Sequence, residues 1–285
     1  MTSQVTIRDL REEDAPALLA YLERLPAQDR RLRFFGSRVL TDQVASCLQL
    51  PDQGGVALIA VQSDDEGERC VGEGSLIPLP DGTDDLALSV ASEVRGGAGG
   101  QMLEELRRRA AARGRATIRG DVLPHNRPMQ RLLRRRGGVT IDRDEDEQVA
   151  IIVGTTAGAP AWPDTGEDTP RVLIEASGAR WTGERALREA GAQVAVCGGP
   201  TARAGRDPCP LLVGADCPLA TGADVIVHLL PDDEPAHRRV AAALPTDGAA
   251  VIVAPVGEHR VPAAKVTAAV LARLEERGPR ATPRR

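Results

Sequence analysis

The chain has 285 residues, 42% of them hydrophobic, a length and composition that support packed cores and allow two domains. Its formal net charge of −5 argues against bulk attraction to nucleic acid. No apolar run approaches the roughly 20 residues of a membrane span. The chain starts with polar and charged residues and shows no signal-peptide pattern. We therefore expect a cytoplasmic protein with reduced thiols and no membrane partner.

The first half of the chain alternates strand and helix patterns, with turn residues between them. Apolar runs and two-residue alternation predict strands at residues 5–7, 56–61, 70–79, 86–90, 115–122, 139–141 and 149–153. Helical spacing of apolar residues predicts a helix that ends before Pro26, a short helix from Thr41, and helices at residues 101–113 and 126–136.

The segment from Gly96 to Gly100 contains four glycines and precedes the helix at residues 101–113. Glycine lets the backbone turn sharply and approach a ligand closely. The first amides of a helix have no intrahelical acceptor and lie at the positive end of the helix dipole. The segment is therefore a candidate phosphate site. A mobile glycine loop on an ordinary strand–helix connection is the alternative interpretation.

Two further motifs, together with this order of elements, resemble a known superfamily. The first is Arg33-Phe34-Phe35 after the first helix, and the second runs Asp-Val-Leu-Pro-His-Asn-Arg-Pro-Met from Asp121 to Met129. Over roughly residues 3–155 the chain resembles the GNAT N-acetyltransferases, and the first motif is similar to the bacterial protein-lysine acetyltransferase branch. The resemblance implies a mixed, largely antiparallel sheet with helices, and acetyl-CoA as the co-substrate.

The resemblance also implies where acetyl-CoA would bind. The pyrophosphate would lie on the backbone amides from Arg95 to Gln101, the pantetheine arm would pair with the end of the strand at residues 86–90, and Asn126 would lie beside that arm. The implied cofactor-binding residues are Leu88, Val90, Arg95, Gly96, Gly97, Ala98, Gly99, Gly100, Gln101 and Asn126.

The superfamily places a general base at the start of the same strand, and the matching position here is Asp85. A carboxylate near the acyl carbon suits this chemistry, because an ammonium must lose a proton before its nitrogen can attack the thioester. A solvated residue in an acidic turn, flanked by Asp81 and Asp84, is the alternative interpretation of Asp85.

Three departures from the superfamily pattern keep other functions open. The glycine loop fits the superfamily pattern only if it is one residue short. No tyrosine follows the later helix, because Tyr21 is the only tyrosine in the chain. Gly138 stands where the superfamily usually has an aromatic residue. One alternative is a non-catalytic acyl-CoA-binding or protein-interaction module. Another is an acetyltransferase for a small-molecule amine.

The second half of the chain has a different pattern. Residues 156–170 are rich in Gly, Ala, Thr, Pro and Asp and are predicted to be a linker, on which Trp162 docks against one domain. Strand patterns at residues 172–174, 193–196, 223–230 and 249–254 then alternate with helical ones. This alternation predicts a small doubly wound parallel α/β domain at residues 171–277, similar in outline to receiver or flavodoxin-like domains. Residues 278–285 form a polar tail.

Three cysteines lie in the long connection at residues 197–221, and three interpretations remain open. Cys197, Cys209 and Cys217 are buried apolar side chains, or form a redox-active pair, or bind zinc with His228 or His237. The chain has no Cys-x-x-Cys pair, so we assign no metal site.

The sequence as a whole predicts an acetyl-CoA-dependent N-acetyltransferase. Its domains are residues 1–155 and residues 171–277, and the second domain has a regulatory or docking role. A protein lysine is the preferred acceptor.

Overall fold

The computed structural model shows two compact units. Unit 1 comprises Met1–Leu132, Asp146–Gln148 and Thr155–Gly158, and unit 2 comprises Leu133–Glu145, Val149–Gly154 and Ala159–Arg285. The structure describes residues 5–36, 38–64, 67–95, 97–143, 148–164, 166, 168–176, 183–200, 207–231, 233–245, 249–253 and 263–277.

Unit 1 is built on five strands in the order β1-β2-β3-β4-β5. Strands β1 to β4 are antiparallel to their neighbours, and β5 runs parallel to β4. The strands are β1 (Val5–Asp9), β2 (Val56–Asp64), β3 (Gly67–Pro78), β4 (Asp84–Val90) and β5 (Thr117–Val122). The helices are α1 (Ala15–Arg24), α2 (Ala27–Phe34), α3 (Leu40–Gln49), α4 (Ala98–Ala112) and α5 (Arg127–Arg135), which begins in this unit.

The sheet of unit 1 carries a core formed with the first three helices. Leu18 and Leu22 of α1, Phe34 of α2 and Val44 of α3 pack with Ile59 of β2. Helix α4 packs closely on β3: a Cβ on Gly74 of β3 would lie only 2.9 Å from the sulfur of Met102 in α4. Glycine at this position lets the helix that follows the glycine segment pack on the strand.

Unit 2 has six strands in the order β7-β6-β9-β8-β10-β11. Strands β9, β8, β10 and β11 are parallel, whereas β6 is antiparallel to both β7 and β9. The strands are β6 (Val139–Arg143), β7 (Val149–Gly154), β8 (Arg171–Glu175), β9 (Gln193–Cys197), β10 (Val225–His228) and β11 (Ala250–Val253). The helices are α6 (Glu184–Glu189), α7 (Pro218–Thr221), α8 (Pro235–Ala243) and α9 (Ala263–Arg277).

Strands β9, β8 and β10 of unit 2 are covered on both faces, as their near-continuous aliphatic sequences require. Leu187 of α6 and Val270 of α9 pack against Val172 and Val227 on one face. On the other face, Leu219 of α7 belongs to a separate core that includes neighbouring strand residues such as Leu173 and Ile226.

The β6–β7 pair lies in unit 2, whereas the sequence analysis places it in the first domain. Thr140 of β6 pairs with Val196 of β9, which extends the sheet of unit 2. The predicted domain boundaries at residues 155 and 171 remain a proposal. The predicted tail at residues 278–285 lies outside the described residues.

Trp162 packs within unit 2, so the predicted docking of this side chain is confirmed. Its indole Nε1 donates to the carbonyl oxygen of Leu219 at 2.9 Å. The guanidinium of Arg171 lies 5.8 Å from the centre of the ring. A Cβ on Gly222 would lie only 2.7 Å from the indole, so glycine is required beside it.

Candidate functional site

The start of α4 presents three backbone amides that have no acceptor within the helix. Gly97 precedes the helix, and its carbonyl oxygen accepts from Gln101 N at 3.1 Å. The amides of Ala98, Gly99 and Gly100 come before this first intrahelical bond, and such amides are suited to an anion. Gly96 lies outside the described residues.

The space above these glycines is open within the described part of the chain. A Cβ on Gly97 or Gly100 would meet nothing within 4 Å, and a Cβ on Gly99 would make ordinary contacts with Val90 at 3.7 Å and Leu132 at 4.0 Å. Packing of the protein therefore does not require these glycines. Their absent side chains leave room for a ligand to approach the amides.

Arg95 is already engaged by the protein. Its guanidinium pairs with Asp29 of α2 at 2.6 Å, and its amide donates to the carbonyl oxygen of Ser92 at 3.3 Å. The amide of Gln101 is likewise bonded inside α4. Of the predicted pyrophosphate contacts, those at Ala98, Gly99 and Gly100 best fit the hydrogen bonding in the structure.

Strand β4 has a free edge in its second half. It pairs with β3 along its whole length, from Asp84 to Val90, but with β5 at only Asp84 and Asp85. Among the described residues, no strand pairs with the remainder of that edge, which includes Leu88 and Val90. Unpaired strand groups can bind an extended ligand through backbone hydrogen bonds. The geometry therefore fits the expected pantetheine arm.

A cavity of about 270 Å³ lies against the same part of β4. We call it the carboxylate cavity, because the side chains of Asp85 and Asp121 both line it. Its other lining residues include Arg33, Cys47, Leu88 and Asn126.

Asp85 is half-buried in the carboxylate cavity, and its carboxylate makes no hydrogen bond or ion pair to the part of the chain that the structure describes. Burial raises the pKa of its carboxyl, the charge of Asp121 raises that pKa further, and Arg33 and Arg119 oppose the shift. A half-buried carboxyl with a raised pKa in a cavity is a candidate general base.

Asp121 is the second carboxylate of this cavity, and the sequence analysis gave it no role. In the parallel register Asp85 pairs with Arg119, so Asp121, two residues further along β5, lies on the same face. Arg119 Nε donates to Asp121 Oδ1 at 3.0 Å. The sequence signal that could have identified Asp121 is the pair of charged residues, Arg119 and Asp121, at alternate positions of a predicted strand.

Asn126 lies at the cavity and also begins α5. Its side-chain oxygen accepts from Met129 N at 3.2 Å, which satisfies one of the first amides of the helix. Asn126 and Met129 both line the carboxylate cavity, so the later sequence motif does contribute to this site.

A buried polar network lies behind the cavity. Arg33 of α2 holds Glu73 of β3 through two hydrogen bonds of 2.7 and 3.0 Å. Ser89 of β4 donates to Glu73 at 2.7 Å and lies 2.9 Å from the hydroxyl of Tyr21. Burial raises the pKa of Tyr21. The network joins α1 and α2 to the sheet and fixes Arg33 at the cavity wall.

In unit 2, the described cysteines favour the interpretation as packed apolar side chains. Cys197 and Cys217 pack on the core that contains Leu219, and all five cysteines of the chain are free. Burial raises the pKa of Cys217 to about 11, so its thiol is protonated at neutral pH. Among the described residues, no group of three or more His, Cys, Asp or Glu side chains is arranged to hold a metal ion.

The last residues of two parallel strands of unit 2 form a buried pair. His228 Nδ1 of β10 lies 2.7 Å from Glu175 Oε2 of β8. Both side chains are almost fully buried, and His228 Nε2 has no hydrogen-bond partner in the described structure.

Within the described residues, no helix is long and apolar enough to cross a membrane.

Comparisons with known proteins identify structures of similar fold. No protein-family model matches the chain. The GNAT domain of S. lividans PAT is 20% identical, covers 53% of this chain and 90% of its own, and has a TM-score of 0.47. The ribosomal-protein-S5-alanine acetyltransferase from Vibrio fischeri is 12% identical, covers 56% of this chain and 98% of its own, and has a TM-score of 0.44.

A third similar structure is a GNAT superfamily phosphinothricin acetyltransferase from Sinorhizobium meliloti in complex with AcCoA. It is 16% identical, covers 56% of this chain and 97% of its own, and has a TM-score of 0.42. Two of the three carry the name of the superfamily that the sequence resembles.

Proposed function

We propose that unit 1 binds acetyl-CoA and transfers its acetyl group to an amine, with a protein lysine as the preferred acceptor. The observation that carries this proposal is the position of Asp85. Its unpaired carboxyl lies in a cavity beside the free edge of β4, and its pKa is raised.

The residues that would hold acetyl-CoA are those with unused backbone groups. The amides of Ala98, Gly99 and Gly100 suit the pyrophosphate, and the β4 edge at Leu88 and Val90 suits the pantetheine arm. Bound acetyl-CoA would supply an acetyl thioester: the nitrogen of a neutral amine forms a bond to its carbonyl carbon, the carbon–sulfur bond breaks, and CoA leaves as the thiol.

The carboxylate cavity offers two carboxylates to a cationic amine, and of the two arginines that also line it, Arg33 is paired with Glu73. Asp85 and Asp121 attract an ammonium into the cavity. Asp85 then takes the proton that the ammonium must lose, directly or through one water, and leaves the nitrogen lone pair free to attack. A raised pKa makes the Asp85 carboxylate a stronger base than an ordinary aspartate.

Two alternative functions differ from this proposal, one by having no acceptor and the other by having a different acceptor. A non-catalytic acyl-CoA-binding module would use the same backbone groups and transfer nothing. A small-molecule acetyltransferase would accept a free amine in the carboxylate cavity. We propose a regulatory or docking role for unit 2, since it has its own cores.

Calorimetry of the full chain with acetyl-CoA, followed by an acetylation assay with lysine peptides and small amines, tests these possibilities. Binding and transfer to lysine peptides support the proposal. Binding without transfer to any acceptor supports the non-catalytic module, and the absence of binding at millimolar acetyl-CoA contradicts all three functions.

A further inference from the structure

A second concave surface lies on unit 1 next to the carboxylate cavity. We call it the arginine groove; it has a volume of about 700 Å³ and is lined by Glu23, Arg30, Arg31, Phe34, Phe35 and Arg38, among others. Phe34, Phe35 and Arg38 also line the carboxylate cavity. A bound polypeptide that places one side chain in the carboxylate cavity can therefore continue into the arginine groove.

The groove is positively charged, although the chain as a whole carries a net charge of −5. Three arginines and one glutamate line it. Arg31 and Arg38 are exposed, and their guanidinium groups make no ion pair or hydrogen bond to the described residues. In contrast, Arg108 and Arg109 of α4 pair with Glu105 at 2.6 and 2.8 Å. The arginines of the groove thus have charge that remains available to a partner.

Unit 1 also exposes apolar side chains at or next to its two concave surfaces. Its exposed large hydrophobic residues, within the described part, are Phe35, Val39 and Ile77. Phe35 lines both concave surfaces, Ile77 lines the carboxylate cavity, and Val39 lies between two residues of the groove. Clustered exposed apolar side chains with a charged rim are typical of a protein-binding surface.

Phe35 adopts an unfavourable backbone conformation at this surface. Its φ is 59°, which makes it the only described non-glycine residue in the left-handed region. It ends α2, where glycine is usual, and 46% of the side chain is exposed. An aromatic residue at a position that favours glycine has a backbone cost without full burial in return, and such strain is concentrated at functional surfaces.

From these observations we propose that the arginine groove binds an acidic segment of polypeptide next to the acceptor lysine. This inference rests on the proposed acetyl transfer and names the class of protein substrate. The target lysine enters the carboxylate cavity, glutamate or aspartate residues beside it pair with Arg31 and Arg38, and an apolar side chain contacts Phe35.

The test uses the full chain and three peptides of equal length, each with one central lysine and acidic, neutral or basic flanks. The readouts are peptide affinity by fluorescence anisotropy, without acetyl-CoA, and the ratio of kcat/KM for each peptide to kcat/KM for n-butylamine. We expect both to rank acidic above neutral above basic, and the affinity to fall with salt.

Arg31→Glu should lower the affinity and the kcat/KM ratio for the acidic peptide roughly tenfold, because one attraction becomes a repulsion of similar size. Glu23→Lys should raise both. The control is the double variant Arg11→Glu/Arg185→Glu, whose side chains are 62% and 87% exposed and lie outside both concave surfaces. It should leave the peptide affinity and the kcat/KM ratio unchanged.

Equal affinity for the three peptides, or unchanged affinity in Arg31→Glu, contradicts the arginine groove, whatever the catalytic result. Acidic-peptide binding without transfer to any amine supports the groove and contradicts the proposed acetyl transfer. Tighter binding of a short RNA than of the acidic peptide, abolished by Arg31→Glu, would show that the groove serves another polyanion and overturn the polypeptide assignment.

Discussion

Asp84 and Asp85 are consecutive residues of β4, and their carboxylates have opposite environments. Asp84 is fully buried and paired with Arg113 at 3.0 Å and Arg115 at 3.3 Å. Asp85 lies in the carboxylate cavity, and its carboxylate makes no hydrogen bond or ion pair within the described chain. Alternation along a strand sends the two side chains to opposite faces of the sheet, which separates a structural carboxylate from a candidate catalytic one.

Asp85→Asn should stabilise the fold at neutral pH. Because the pKa of Asp85 is raised in the folded chain, its proton is bound more tightly there, and stability falls as pH rises through this pKa. Asparagine removes the burial penalty of the charge, so Tm at pH 7 should increase. Asp14→Asn is the control and should lower Tm, because the ion pair with Arg8 at 2.6 Å lowers the pKa of Asp14, and the charge of Asp14 therefore stabilises the fold at neutral pH.

The pH dependence of acetyl transfer should depend on Asp121. A general base must be deprotonated, so kcat/KM should rise with pH through the raised pKa of Asp85. Asp121→Asn removes the charge that raises this pKa further, and the acidic limb of the profile should move to lower pH. An unmoved limb would mean that the limb reports another group.

A large side chain at Gly99 should prevent acetyl-CoA binding without unfolding unit 1. A Cβ there makes only ordinary contacts, but the rest of a leucine would extend over the first amides of α4. Calorimetry should detect no binding by Gly99→Leu, and its Tm should stay close to that of the parent. Ala112→Leu, at the exposed end of the same helix, should bind normally; equal binding by both variants would exclude the glycine segment as the pyrophosphate site.

The Arg33–Glu73 pair should be essential for stability. Their side chains are only 10% and 4% exposed. Breaking a buried ion pair by removing one partner costs about 3–5 kcal/mol, so urea unfolding of Glu73→Leu should show a loss of this size. The exposed pair of Arg273 and Glu276 provides the control, since Glu276→Leu should change stability by less than about 1 kcal/mol. Similar losses in the two variants would contradict the structural role of Glu73.

Cys217 should react slowly with thiol reagents in the native protein. Burial raises its pKa to about 11, so little thiolate exists at pH 7.5. Rates of alkylation, followed by peptide mass spectrometry, should increase strongly on unfolding.

Mild oxidant should change the rate of acetyl transfer by the same factor in the parent and in the double variant Cys209→Ser/Cys217→Ser. A change confined to the parent would restore the redox interpretation.

The strands of unit 1 and the position of α4 follow from the sequence, because alternation and helical spacing are local patterns. The resemblance to the superfamily also singles out Asp85, which lines the carboxylate cavity, and its role as the general base stays a prediction. Asp121 could not be singled out in this way, because its importance depends on the parallel register of β5 beside β4. Pairing between distant strands leaves no local pattern.

Other features depend on contacts that the sequence does not encode locally. The hydroxyl of Tyr21 reaches Ser89, a residue 68 positions away. The pairing of the Arg95 guanidinium with Asp29 also joins separate elements. In unit 2, Pro210 and Pro218 begin short helices within the connection at residues 197–221, a signal that the sequence analysis overlooked.

The most direct test of the account is the turnover of the full chain on an acidic lysine peptide at saturating acetyl-CoA, compared with Asp85→Asn. We expect acetylated lysine by mass spectrometry, a turnover roughly 10²–10⁴-fold lower in Asp85→Asn, and an unchanged affinity for acetyl-CoA. Equal turnover in the two proteins would contradict the assignment of Asp85 as the general base.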